Sequence, residues 1–238
     1  MLIFEGLVAA HVVTGATGLI SMWVPVVTRK GSPSHRRWGR IFVGAMLATG
    51  TIAIGISLVS LFYPLTTHPW SEDAPMIRGL FGWMMLYLGI LTIALAWHSY
   101  YTVRYKTDRS KYAVPFNISL QILMAVAAIN CAVQGILIKQ YLMVGIATPG
   151  LAAAILNSLY LRDENPPPKE WLVQHFRGGI GAGISVYTAF FAFGAVNTFP
   201  ALAFNPVLWA LPTVLGVGYM LKHQLEASKN RKQRVARA

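Results

Sequence analysis

The chain has 238 residues, of which 55% are hydrophobic and 12% charged, and a formal net charge of +12. Soluble domains carry about 25% charged residues, so the deficit excludes an ordinary water-facing surface and points to lipid as the solvent. A single cysteine, Cys131, excludes an internal disulfide framework.

Stretches 6–28, 41–71, 79–103, 112–138, 140–161 and 178–221 contain no Asp, Glu, Lys or Arg. About 20 apolar residues cross the hydrocarbon core as a helix, and in lipid the backbone polar groups must be satisfied within the segment. The last stretch is long enough for two crossings. The sequence therefore predicts an all-α, polytopic transmembrane helical bundle of seven spans, over 4–27, 40–63, 78–102, 114–138, 141–161, 172–195 and 204–222. Residues 1–223 form the membrane domain and 224–238 a basic cytoplasmic tail.

The first span begins without the basic start of a cleavable signal peptide and is read as a retained helix. His11 lies about 14 Å along it at 1.5 Å per residue. An ionisable residue at that depth faces protein or a cavity. Thr14, Gly15 and Gly18 share its face, and small residues there let another helix approach. His11 points into the bundle, either as a neutral packing histidine or as a ligand or proton-handling group.

The stretch "RKGSPSHRRWGRIF", residues 29–42, leads into the second span. Its charge anchors the helix at the cytoplasmic face. His35 followed by Arg36, Arg37 and Arg40 also suits a site, because arginine offers a planar fork for carboxylate or phosphate and histidine ligates or carries protons. Arg36, Arg37 and Arg40 are the candidates for an anion or a lipid head group, and Gly39 would let a helix or ligand come close. The following outer loop carries Pro64, Pro69 and Pro75, with Arg78 expected to pair with Glu72 or Asp73.

In the third span, His98 sits within "AWHSYYTVR", where Trp97, Tyr100 and Tyr101 read as an interfacial belt. The fourth carries Asn117, Gln121, Asn130 and Gln134, amides that glue helices together or line a polar path. The fifth is expected to kink at "TPG", 148–150. The sixth opens with "WLVQHFRGGIGAG": His175 is the candidate ligand, and Gly179 with Gly183 reads as a close-packing pair. It is not a dinucleotide loop, since no strand precedes it. "NTFPALAFNP", 197–206, is the predicted turn before the seventh span.

Eighteen of the twenty Lys and Arg residues fall in the first, third and fifth connections and the tail, leaving Arg78 and Lys139 on the other side. Basic loops stay cytoplasmic, so the orientation is N-out, C-in. The net charge then needs no nucleic acid; the partners are the bilayer and its anionic head groups, met by the basic loops and tail, with a membrane protein as a possible further partner.

With that orientation, His35, His98 and His175 lie at one face and form a candidate metal set, since imidazole suits zinc, copper, iron and nickel. His11, His98 and His175 are the candidates for a cofactor such as haem b, His98 with His175 being the best pair. No H-x-x-x-H or H-x-x-H-H pair marks a membrane metalloenzyme, and the chain makes no definite claim to be an enzyme.

"HVVTGATGLI" followed by "SHRRWGRIFVGAM" resembles a bacterial multi-pass membrane family, domain of unknown function 2306. The matching positions are His11, Gly15, His35, Arg36, Gly39 and Arg40, while Phe42 stands where that family often has an aromatic hydroxyl. The resemblance implies a bacterial inner-membrane location and no particular reaction. The residues leave four readings of function: a haem- or metal-binding protein for electron transfer or cofactor assembly, a small-solute transporter or channel, a non-catalytic membrane subunit or assembly factor, and, lowest of the four, a membrane enzyme.

Overall fold

The computed structural model describes residues 2–194 and 206–235, and every regular element among them is helical. Seven long helices follow the predicted spans: α1 (Leu2–Val27), α2 (Pro33–Phe62), α3 (Ala74–Tyr105), α4 (Pro115–Leu137), α5 (Tyr141–Arg162), α6 (Glu170–Ala189) and α7 (Pro206–Val235). Of these, α1 to α5 are long and apolar enough to cross a membrane. The predicted turn over 197–206 lies outside the described residues, apart from Pro206. The basic segment continues α7 as far as Val235 rather than leaving it at residue 223.

Two helices start earlier than their hydropathy suggests, and both for capping reasons. Ser32 accepts a hydrogen bond from the His35 amide at 3.2 Å and Pro33 takes the first helical position, a strong start signal. Helix α2 therefore begins at Pro33 rather than 40, and His35, Arg36, Arg37 and Arg40 stand on its first turns instead of in a loop. Asp73 likewise caps the Met76 amide at 2.9 Å and starts α3 at Ala74. Arg78 does not pair with Glu72 or Asp73; its Nε donates to the Leu61 carbonyl at 3.2 Å.

The centre of the bundle is α3. Within its most apolar stretch 72% of residues are buried, against 22–33% in α1, α2, α4 and α5. It packs on α2, α4 and α6, while α1 lies on α2, α5 on α4 and α7 on α6. Close crossings explain how one helix takes so many neighbours. A Cβ on Gly50 of α2 would stand 2.8 Å from the Gly89 carbonyl of α3, and one on Gly89 would stand 2.9 Å from the Gly50 carbonyl. Any side chain there would force backbones apart, so the two glycines set the crossing.

Amides fasten the α4 side. Asn117 accepts from Trp97 Nε1 at 2.8 Å and donates to the Tyr112 carbonyl at 2.7 Å, and Asn157 of α5 donates to Gln121 at 3.0 Å. Of the four amides on α4, Asn117 and Gln121 thus act as glue. Pro149 lies inside α5 without ending it. Proline supplies no N–H to the carbonyl four residues back, and here the Thr148 hydroxyl donates to that Gly145 carbonyl at 2.7 Å, while Tyr87 of α3 donates to the next one, Ile146, at 3.1 Å. Outward faces of α1 and α4 are lined by exposed apolar side chains such as Val12, Ile20, Ile122, Val126 and Val133, as lipid contact demands.

Candidate functional site

The ends of α1 and α3 and the starts of α2 and α6 lie at one end of the bundle, and two histidines meet there. His35, on the first turn of α2, directs Nδ1 at the Pro25 carbonyl near the end of α1, at 3.1 Å. A carbonyl can only accept, so Nδ1 carries the proton and Nε2 presents its lone pair. Lys30 donates to the same carbonyl at 2.9 Å and to that of Val26 at 2.6 Å. It thereby satisfies carbonyls at the helix terminus that have no amide of their own. Desolvation lowers the Lys30 pKa from its ordinary value.

His175 repeats the device from α6. Its Nδ1 lies 2.9 Å from the Ser99 carbonyl of α3 and 3.0 Å from the Ser99 hydroxyl, which itself donates to the His175 carbonyl at 2.8 Å. Again Nδ1 is the protonated nitrogen, and Nε2 has no hydrogen-bond partner among the described residues. The His35 and His175 rings stand edge to face, centroids 6.3 Å apart and planes at 69°. Lys30 lies near enough for its charge to act on His175.

Gly178 makes the α3–α6 approach possible. A Cβ there would stand 2.8 Å from the Leu95 carbonyl and 2.9 Å from the Ser99 amide, backbone atoms that cannot swing away. The expected Gly179 and Gly183 pair is divided: Gly179 faces Ser99 of α3 and Gly183 faces Met22 of α1.

His98 does not join the pair. It is buried, its Nε2 donating to Gln174 Oε1 at 3.2 Å, and Gln174 donates in turn to Glu170 at 2.8 Å. Tyr160 of α5 covers its ring edge to face at 6.0 Å. His98–Gln174 and Ser99–His175 are thus successive bridges between α3 and α6. Because neighbouring residues on a helix point about 100° apart, only His175 turns toward His35. The expected triad of His35, His98 and His175 is not assembled, and no group of three His, Cys, Asp or Glu able to hold a metal occurs among the described residues. His98 commits Nε2 to Gln174, whereas His175 commits Nδ1 to Ser99.

His11 lies elsewhere. Its Nδ1 donates to the Thr49 carbonyl of α2 at 3.2 Å, on the rim of a separate small cavity. Arg36, Arg37 and Arg40 are exposed beside His35 and have no side-chain partner among the described residues. A Cβ on Gly39 would meet nothing within 4 Å, so no helix approaches this glycine closely. Ser99, Lys30, Gln174 and the Pro25 carbonyl are site-building groups that sequence patterning passed over. Only Gln174, an amide next to a histidine at the start of a helix, carried a usable signal.

The residues present fit a group that takes imidazole nitrogen. Ligating histidines commonly donate their other ring N–H to a backbone carbonyl, as both do here.

No protein-family model, curated protein or solved structure matches the chain. Fold and site together define an all-helical protein with several helices fit to cross a membrane and a two-histidine site where four helices end.

Proposed function

We propose that the chain is a haem-binding membrane protein of the bacterial inner membrane, crossing it seven times with the N-terminus outside, and that His35 and His175 offer their Nε2 atoms to the iron. The observation that carries this is two neighbouring imidazole rings, each locked by Nδ1 to a backbone carbonyl, with neither Nε2 engaged among the described residues. Charge favours haem over a bare cation. Lys30, Arg36, Arg37 and Arg40 surround or flank the pair and, among the described residues, no carboxylate supplies a third ligand, so a free divalent ion would be repelled. Haem brings its own carboxylates, which arginine accepts with two parallel hydrogen bonds. Bound haem would supply one-electron transfer; the chain's part is to hold the two imidazoles in one tautomer and to balance the propionates. The basic connections support the orientation, and the resemblance to domain of unknown function 2306 supports the bacterial location.

The test is the visible spectrum, oxidised and reduced, of protein purified in mild detergent from haem-supplied cells, with metals assayed on the same sample. A Soret band that shifts on reduction, lost in both His35→Ala and His175→Ala, is expected. His98→Ala should keep the band while lowering stability by about 1–3 kcal/mol, the cost of stranding a buried polar partner. Stoichiometric metal without a Soret band would replace haem by a metal ion at the same pair. A colourless, metal-free protein after haem reconstitution would sink the reading.

A further inference from the structure

A second polar site lies within the bundle, away from the two-histidine end. A cavity of about 30 Å³ opens where α1, α2, α3 and α6 meet, lined by His11, Thr49, Ala53, Thr92 and Ser185 among others. The Thr49 hydroxyl is buried and has no hydrogen-bond partner. His11 uses Nδ1–H on the Thr49 carbonyl, which leaves the Nε2 lone pair unengaged. Thr92 donates its hydroxyl proton to the Leu88 carbonyl at 2.8 Å, so the 2.5 Å contact between Thr92 and Ser185 must be donated by Ser185. That leaves lone pairs on Ser185 with nothing to accept.

We propose that this cavity binds ordered water, held by Thr49, His11 and Ser185. The donor and acceptors match what one water needs: a hydroxyl that can give a proton, and two lone-pair acceptors, His11 Nε2 and Ser185 Oγ, for its own two protons. A water requires roughly 10–15 Å³ of such space and two to four polar partners; the cavity has about 30 Å³ and His11, Thr49 and Ser185 in its lining. A dry cavity would leave the Thr49 hydroxyl unsatisfied in a membrane interior, where no bulk water can replace the missing partner.

The experiment is water-edited solid-state NMR on the full chain, labelled with ¹⁵N-histidine and reconstituted in liposomes, with the His11 signal assigned through His11→Leu. Magnetisation transfer from water protons to His11 is expected, and its loss in the isosteric Thr49→Val. If Thr49→Val does not fold, Ser185→Ala is read in the same way. Absence of transfer in the wild-type chain would overturn the proposal. So would transfer that survives Thr49→Val and Ser185→Ala, because the water would then be held elsewhere. Neither result depends on whether haem binds at the other site.

Discussion

A histidine's position along a helix says little until the partners of both ring nitrogens are known. His35, His175 and His11 each commit Nδ1 to a carbonyl and keep Nε2 open, whereas His98 commits Nε2 to Gln174. His68 behaves differently again. It sits outside the helical spans, packed on Phe81 at 4.1 Å between ring centroids and flanked by Trp70 and Phe4 at 5.8 and 6.3 Å. Desolvation there lowers its pKa, against an opposing hydrogen bond to Pro64. Because the folded value lies below the unfolded one, the unfolded chain binds the proton first as pH falls. The contribution of His68 to stability is therefore full above about pH 6.5 and is lost progressively below it, down to the lowered folded value. The melting midpoint of the detergent-solubilised protein should fall between about pH 7.5 and pH 5, and His68→Phe should flatten that part of the slope. An unchanged slope would place the titrating group elsewhere.

At the scale of helices, glycines divide into those that set a crossing and those that do not. Gly178 faces the Leu95 carbonyl and the Ser99 amide, so Gly178→Ala must push α6 away from α3. Overpacking of this kind costs about 1–3 kcal/mol, and it should also pull His175 from Ser99 and His35. Gly39, with open space around it, should accept alanine and gain up to about 1 kcal/mol from helix propensity. Thermal unfolding of the two variants in the same detergent separates them; equal destabilisation would contradict the packing described. The sequence marked the region "RGGIGAG" as a close-packing surface, yet it did not single out Gly178, because spacing identifies a small-residue face without saying which member meets a backbone. Capping was more legible than the predicted span edges allowed: "SPS" before His35 and Asp73 before "AP" are local signals, and they start α2 and α3 earlier than hydropathy does.

For the molecule as a whole, the proposed seven-span orientation makes a topological prediction that needs no ligand. Glu72 lies between α2 and α3 and Glu164 between α5 and α6, both exposed. Three spans separate them, so they belong on opposite sides. The native Cys131 is buried and should stay silent to a membrane-impermeant maleimide. On intact cells Glu72→Cys should label and Glu164→Cys should label only after lysis. The reverse pattern would invert the orientation, and labelling of both from outside would break the span assignment between them.

The sequence by itself determined that the chain is helical and built for lipid, and the approximate course of its long helices, though not where α2 and α3 start or how far α7 continues. Hydropathy, caps and charge are properties of consecutive residues, and they survive without knowledge of any partner. It also marked His11, His35, His98 and His175 as the residues lipid does not explain. Only the tertiary structure decided which of them meet. That depends on the rotation of each helix and on the depth of its crossings, set by Gly50 with Gly89 and by Gly178. One step along α3, from His98 to Ser99, changes a side chain that bridges to Gln174 into one that orients His175 toward His35. An angle of about 100° per residue is invisible to composition and decisive for chemistry.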